Sequence, residues 1–260
     1  AAAAQRRAGR PRRFHADGSG DPGRAGAGVQ LSSNKLSGQK SPVSDLSICD
    51  WILVTVMDGD EPVIAMVDVA ETDPGISPLN GFDELRHHGA VTFSDTHCEV
   101  LTGRRGAEVV QELFCRLAVI ASFEQIGGAE SAMLMARDYT MERFIFGRQL
   151  ASYQAVKHNL ADILTMIEIN RSNALYAAGE IDNCGDDRFL ASATARVGAT
   201  SLYEQAAREN LQLHGGIGFT WEANCHFHYR RARLLSQHLG GPGVGRCLGE
   251  GVGGGVDWQC

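Results

Sequence analysis

The stretch from Glu142 to Ile163, ERFIFGRQLASYQAVKHNLADI, decides the fold prediction because it joins two long helical patterns. Apolar residues recur on both sides of this stretch at intervals of three and four, the period of a helix with one buried face. Before Gly147 they are Leu113, Leu117, Ile120 and Phe123, and after it they are Leu160, Ile163, Leu164 and Ile167. Gly147 predicts the end of the first helix, since glycine accepts the left-handed conformation that is common after helix C-termini.

Two more helices follow along the chain. One carries apolar or small residues at helical spacing, namely Leu190, Ala193, Val197, Thr200 and Tyr203. The other begins after Thr220, with Glu222 near the positive end of its dipole. QLHGGIGFTWE, residues 212–222, connects the two. Four long helices with short connections predict an antiparallel four-helix bundle over residues 105–240.

Residues 30–104 carry a β pattern instead. DWILVTVMDGDEPVIAMVDV, residues 50–69, holds two β-branched runs separated by Asp58-Gly59-Asp60-Glu61, which predicts a hairpin. AVTFSDTHCEVL, residues 90–101, alternates and predicts another strand. The fold class is therefore predicted to be α+β, with a partial small β-domain followed by the antiparallel four-helix bundle.

Both ends of the chain lack the large apolar residues of a core. Residues 1–29 are rich in Arg, Gly and Ala and are predicted to be a disordered or aberrant end, with an Arg-rich transit peptide as the alternative. Residues 241–260 are glycine-rich and are predicted to be a disordered tail.

Composition narrows the class of protein. The net charge of -7 argues against nucleic acid as a partner, and the chain contains no apolar run long enough to span a membrane. Seven scattered cysteines without a CxxC pair favour reduced thiols in a cytoplasmic protein. Cys225, His226 and His228 are possible zinc ligands, but neighbouring helix residues point about 100° apart, so no metal site is predicted.

The connections between helices carry the unusual chemistry. Arg143 lies at a helix end, where it either offsets the helix dipole or binds a phosphate while Phe146 packs on a ring system. Gly215 and Gly216 either end a helix or let backbone N–H groups approach an anion or cofactor closely. The residues alone leave both alternatives open.

Taken together, these motifs resemble the C-terminal domain of the acyl-CoA dehydrogenase family. EQIGGAE (residues 124–130) and YRRAR (residues 229–233) extend the resemblance, and LSGQKSPVSDLSICDWILV (residues 36–54) looks like the family's middle β-domain. The resemblance covers about residues 30–240 and implies FAD bound between the two domains and across a subunit boundary. The family's N-terminal helical domain and its first flavin-binding strands are not found, which suggests a truncated or degenerate member.

The resemblance also implies cofactor-binding residues. Arg143 would contact the FAD pyrophosphate, Phe146 would lie near the adenine side and Gln154 would follow. The turn that includes Gln212, Gly215 and Gly216 would approach FAD from the neighbouring subunit, and Ser44 stands where the family's flavin-facing Thr usually falls.

The family's reaction needs a carboxylate base to remove the α-proton while the β-hydrogen leaves as hydride to the flavin. Leu239 and Leu117 stand at the two positions where members carry that carboxylate, and neither can accept a proton. The catalytic residue is therefore unknown. Glu124, two turns from Leu117 on the same helix face, remains a weak candidate because a base must lie within reach of the proton.

The resemblance implies an FAD-dependent acyl-CoA dehydrogenase, an oxidoreductase of fatty acid and lipid metabolism that lacks the usual catalytic Glu. The alternative is a non-catalytic flavin-binding subunit that pairs with a catalytic homologue, and a flavin monooxygenase is a third reading. The implied partners are an acyl-CoA substrate, an electron-transfer flavoprotein or similar acceptor, and further subunits in a homo- or hetero-oligomer (dimer or tetramer).

Overall fold

A computed structural model describes residues 14–16, 28–59, 61–101 and 106–240 of the chain. The predictions of disorder over residues 1–29 and 241–260 lie outside these ranges, apart from the strand at 14–16 and residues 28–29. The described residues form two compact units. One holds residues 28–81 and 86–110, and the other holds residues 82–85 and 111–240.

Eight strands build the first unit: β1 Phe14–Ala16, β2 Val29–Ser32, β3 Lys35–Ser44, β4 Trp51–Asp58, β5 Glu61–Asp68, β6 Gly75–Leu79, β7 His88–His97 and β8 Glu99–Val100. They form two four-stranded sheets in the orders β1-β4-β5-β8 and β2-β3-β7-β6. Strand β1 pairs parallel to β4, and the other pairs are antiparallel. A short helix, α1 Val69–Thr72, follows β5 and is capped by the Asp68 carboxylate.

The predicted hairpin is confirmed, since β4 pairs with β5 and Asp58 lies opposite Glu61. Gly59 in its turn has φ +64°, the left-handed conformation that glycine adopts without cost. Residues from both sheets share one core, in which Leu36, Ile52 and Phe93 are almost fully buried. The β-branched runs read from the sequence therefore become the buried faces of this core.

Four long helices follow: α2 Gly106–Glu142, α3 Gln154–Asp182, α4 Arg188–His214 and α5 Cys225–Gln237. A two-stranded hairpin, β9 Phe144–Ile145 and β10 Arg148–Gln149, lies between α2 and α3. The α+β class, with strands followed by a four-helix bundle, is confirmed. Among the described helices, none is both long enough and apolar enough to cross a membrane.

The buried faces of the helices match the prediction only in part. Ile163, Ile167, Ala193 and Tyr203 are buried as expected. Ile120 is 65% exposed, and Phe123, Leu164, Leu190 and Val197 are also exposed. The bundle core consists largely of alanines instead, namely Ala129, Ala132, Ala174, Ala177, Ala195, Ala199, Ala206 and Ala207. Small side chains let helix axes approach closely, so spacing of the large apolar residues does not identify the inner face.

The start of α5 also differs from the prediction. The helix begins at Cys225, so Glu222 lies before it and not in its first turn. The Glu222 carboxylate instead accepts a hydrogen bond of 3.3 Å from the Thr220 hydroxyl. The Thr220 hydroxyl also lies 2.8 Å from the Ile217 carbonyl oxygen, so its single proton is shared between two acceptors outside the helix.

Adjacent glycines in α2 have opposite surroundings, and their replacement by alanine is expected to have opposite effects. A Cβ on Gly128 would lie 2.5 Å from the Tyr203 ring, whereas a Cβ on Gly127 would meet nothing within 4 Å. We expect Gly128→Ala to lower the free energy of unfolding by about 1–3 kcal/mol through overpacking. Gly127→Ala is expected to raise it by up to about 1 kcal/mol through helix propensity. Urea unfolding of both variants checks the pair, and equal effects would contradict the packing at Gly128.

Candidate functional site

The hairpin after α2 displays its aromatic side chains outward. Ile145 pairs with Arg148 across a turn whose central residues, Phe146 and Gly147, have φ +51° and +80°. These values match a tight hairpin turn, so Gly147 is left-handed as predicted but does not cap the helix, which ends at Glu142. Phe146 is 94% exposed. An apolar ring is thus available for a partner.

Arg143 follows the last residue of α2 and contacts a tyrosine one turn earlier. Its Nη1 donates a hydrogen bond to the Tyr139 hydroxyl, and its guanidinium carbon lies 5.6 Å from the Tyr139 ring centroid. The Tyr139 hydroxyl donates to the His214 carbonyl oxygen at 3.3 Å, and the two rings stack at 4.1 Å. Arg143 is therefore held beside the C-terminus of α4, on the surface.

Gly215 ends α4 with φ +63°, and the chain turns there into a short 3-10 segment over Gly215–Phe219. A Cβ on Gly215 or Gly216 would meet nothing within 4 Å, so the space in front of this backbone is open. Gly218 differs, since a Cβ there would lie 2.7 Å from the Leu211 carbonyl oxygen. Packing within the chain thus requires a glycine at position 218, which the sequence prediction missed. The same packing does not require a glycine at position 216, so Gly216 is free to face a ligand.

The other predicted cofactor-binding residues are distributed over the two units. Gln212 lies exposed in the last turn of α4, and Gln154 is the exposed first residue of α3. Ser44 is the last residue of β3 in the first unit, 7% exposed and paired with His88. Within the second unit, Tyr139 brings Arg143 and the Gly215–Gly216 turn together inside one chain. The two elements can therefore face the same ligand from one subunit, whereas the resemblance implied that the turn approaches from the neighbouring subunit.

These residues fit an elongated anion with an aromatic end. Arg143 supplies an exposed guanidinium and Phe146 an exposed ring. The Gly215–Gly216 turn supplies backbone with no side chain in front of it, with the Gly215 N–H already donated to the Gln212 carbonyl oxygen. A guanidinium matches phosphate oxygens, and backbone without Cβ atoms allows close approach. The residue types and surroundings are compatible with a dinucleotide.

A general base is harder to place. Leu239 is 3% exposed and adopts φ +62°, and Leu117 is half-buried. Glu124 is also half-buried, and one of its oxygens accepts a hydrogen bond of 3.1 Å from Arg231 Nη1. This contact occupies an oxygen that a general base would need for the substrate proton.

Arg231 joins Glu124 to a carboxylate that the sequence prediction did not single out. Asp83 has a fully buried side chain that accepts hydrogen bonds from Arg231 Nε and from the Leu85 backbone N–H at 3.0 Å. Burial disfavours the charge of Arg231, but bonding and attraction to Asp83 and Glu124 outweigh it and raise the pKa of Arg231. The ion pair between Asp83 and Arg231 thereby holds residues 82–85 against α5.

The residues of the CHFH motif point to separate partners. The Cys225 thiol lies 3.9 Å from Asn210, His226 Nδ1 lies 2.8 Å from the Ala223 carbonyl oxygen, and His228 Nδ1 lies 3.2 Å from the Tyr203 hydroxyl. Over the part of the chain that the structure describes, no group of three or more potential ligands is placed to hold a metal ion.

His228 is expected to make stability pH-dependent. Burial, reinforced by the charge of Arg231, lowers its pKa from the usual 6.5. Below that pH the unfolded chain therefore binds more protons at His228 than the folded chain, and stability falls as the pH is lowered. We expect His228→Gln to reduce this loss, measured by urea unfolding at about pH 7.5 and about pH 5.5. The exposed His158, replaced in the same way, is the control and should leave the loss unchanged.

Comparison with known proteins gives a family match over most of the second unit. Residues 104–243, more than half of the chain, match the family described as acyl-CoA dehydrogenase, C-terminal domain. The chain is 38% identical over 125 residues to the acyl-CoA dehydrogenase IpdE2 of Mycobacterium tuberculosis. That match covers 48% of this chain and 37% of IpdE2, so the chain matches well under half of that relative.

Solved structures share the fold of both units. Butyryl-CoA dehydrogenase from Megasphaera elsdenii aligns with a TM-score of 0.81 at 17% identity, covering 92% of this chain and 67% of that one. The ChsE4-ChsE5 complex from Mycobacterium tuberculosis aligns with a TM-score of 0.78 at 21% identity, covering 92% and 66%. At these identities, the likeness establishes the fold.

Proposed function

Because the chain belongs to the acyl-CoA dehydrogenase family, we propose that it binds FAD and acts in the α,β-dehydrogenation of an acyl-CoA thioester. The observation that carries the proposal is the convergence of exposed Arg143 with the open Gly215–Gly216 turn, joined through Tyr139. A cation beside unobstructed backbone suits a pyrophosphate, which is the part of FAD that needs neutralisation.

Each predicted residue has a role in this proposal. Arg143 binds the pyrophosphate, Phe146 packs on the adenine side, and the Gly215–Gly216 turn brings backbone close to the cofactor. Gln212, Gln154 and Ser44 supply polar contacts. When bound, FAD supplies the acceptor for the β-hydrogen, and the protein supplies its position and electrostatic environment.

A second function is favoured because no free carboxylate lies at the positions considered for the catalytic base. Leu239 is a buried apolar residue and Glu124 is held by Arg231, so neither offers a free base at the positions considered. The chain would then be a non-catalytic flavin-binding subunit whose partner supplies the carboxylate. The relative of similar fold that is described as the ChsE4-ChsE5 complex is an assembly of two different chains.

The implied partners follow from the same proposal. An acyl-CoA is the substrate, an electron-transfer flavoprotein or similar acceptor takes the electrons, and the chain assembles as a homo- or hetero-oligomer. We also propose a cytoplasmic location, since the five described cysteines are free.

The visible spectrum of the purified protein tests the proposal. We expect a flavin absorption band, and its absence after incubation with FAD would contradict both functions. Anaerobic addition of butyryl-CoA or a steroid-derived acyl-CoA then separates the two. Bleaching by the protein alone supports the dehydrogenase, whereas bleaching only after addition of a catalytic homologue supports the non-catalytic subunit.

Glu124→Gln provides a matched test of the remaining carboxylate in α2. If Glu124 were the base, the variant would retain its flavin band but lose bleaching by the acyl-CoA. We expect unchanged bleaching, because the Glu124 carboxylate is engaged by Arg231 at 3.1 Å and not directed to a substrate. Glu130→Gln, on the same helix and paired with Arg171 at 2.9 Å, is the control.

A further inference from the structure

Tyr139 occupies a junction that neither the motifs nor the proposed function assigns. It lies one turn before Arg143 on α2, and its hydroxyl makes two hydrogen bonds of opposite sense. The hydroxyl donates its only proton to the His214 carbonyl oxygen at 3.3 Å, which leaves its lone pairs to accept from Arg143 Nη1. The two contacts therefore support each other.

The ring of Tyr139 is fixed as well as its hydroxyl. It stacks on the His214 ring with centroids 4.1 Å apart and an interplanar angle of 19°. His214 is buried, and its Nδ1 lies 2.8 Å from the Asn210 carbonyl oxygen within α4. The tyrosine is thus anchored to the end of α4, immediately before the Gly215 turn.

We propose that Tyr139 is a positioning residue for FAD, which holds the Arg143 guanidinium at a fixed place relative to the Gly215–Gly216 turn. This inference rests on the proposed function. An exposed arginine has many rotamers, and ordering it on binding costs conformational entropy. Tyr139 restricts those rotamers before the ligand arrives, so the cation and the open backbone meet the pyrophosphate together.

The test is a comparison of two ligands, FAD and riboflavin, which share the flavin ring and ribityl chain but differ in the pyrophosphate and adenosine. Dissociation constants for the apoprotein are measured by flavin fluorescence. We expect Tyr139→Phe to weaken FAD binding about fivefold, the loss of one hydrogen bond, and to leave riboflavin binding unchanged. A tyrosine that only supported the fold would affect both ligands equally.

Coupling to Arg143 gives a second readout. In an Arg143→Gln background, Tyr139→Phe should weaken FAD binding no more than about twofold, since the residue it positions is gone. Tyr203→Phe is the control, because this buried tyrosine loses a hydrogen bond to His228 and does not contact Arg143. It should leave both dissociation constants unchanged.

The outcomes separate this inference from the proposed function. Wild-type protein that binds no FAD overturns both. If the wild-type protein binds FAD and Tyr139→Phe binds it with the same dissociation constant, only the role of Tyr139 is overturned. The role of Tyr139 is also overturned if Tyr139→Phe weakens FAD and riboflavin binding equally. It is overturned as well if Tyr139→Phe weakens FAD binding by the same factor in the Arg143→Gln background as in the wild type.

Discussion

Replacing Arg231 by methionine is expected to lower the free energy of unfolding by about 3–5 kcal/mol, the loss typical of a broken buried ion pair. The reason is Asp83, whose carboxylate is fully buried and receives the Arg231 Nε–H. Without the guanidinium, a buried negative charge would keep only its contact with the Leu85 backbone N–H. Urea unfolding at neutral pH measures the change.

The neighbouring arginine is a matched control. Arg230 pairs with Glu84 at 2.8 Å, but the Glu84 side chain is 57% exposed. Arg230→Met is therefore expected to cost less than about 1 kcal/mol, as exposed pairs do. Replacing both Asp83 and Arg231 by apolar residues should recover part of the loss, because no charge is then stranded. Equal costs for the two arginines would contradict the burial of Asp83.

Replacing Arg143 by glutamine is expected to weaken FAD binding about 100-fold, the range of a lost charge-assisted hydrogen bond to a phosphate. Arg143 is exposed, and among residues 14–16, 28–59, 61–101 and 106–240 it has no ion-pair partner within 4 Å, so its charge is available to a ligand. Fluorescence titration of the apoprotein with FAD measures the dissociation constant. Unchanged riboflavin affinity would assign the loss to the ADP part of FAD, in which the pyrophosphate carries the negative charge.

Arg148 separates a specific contact from general charge. It lies in the same hairpin, with its guanidinium carbon 3.8 Å from the Tyr153 ring centroid. Arg148→Gln removes the same charge and is expected to weaken FAD binding less than about threefold through screened, long-range attraction. Equal losses at Arg143 and Arg148 would show that net charge, and not the position of Arg143, determines affinity.

Local features were predictable from the sequence. The hairpin at Gly59, the left-handed Gly147 and the turn at Gly215 could be read from residue types, because a positive φ is a property of one residue and its neighbours. The end of α4 at Gly215 was predicted for the same reason, whereas the cap assigned to Gly147 proved to be a hairpin turn and α5 begins at Cys225 and not directly after Thr220. The absence of a carboxylate at Leu239 was also visible in the sequence.

The buried faces of the bundle were not predictable in the same way. Ile120 and Val197 follow helical spacing yet are exposed, whereas the alanines between them are buried. Both faces of these helices carry apolar residues, so periodicity allows either rotation about the helix axis. Close packing of small residues against partner helices selects one of them.

By itself, the sequence determined the family, the four helices and the residues proposed here for cofactor binding, Arg143 and the Gly215–Gly216 turn among them. Only the tertiary structure decided which of these residues meet. Tyr139 reaches His214 across 75 positions and Arg231 reaches Asp83 across 148. Such contacts depend on how helices rotate and cross, which is set by packing of the whole core and not by neighbours along the chain.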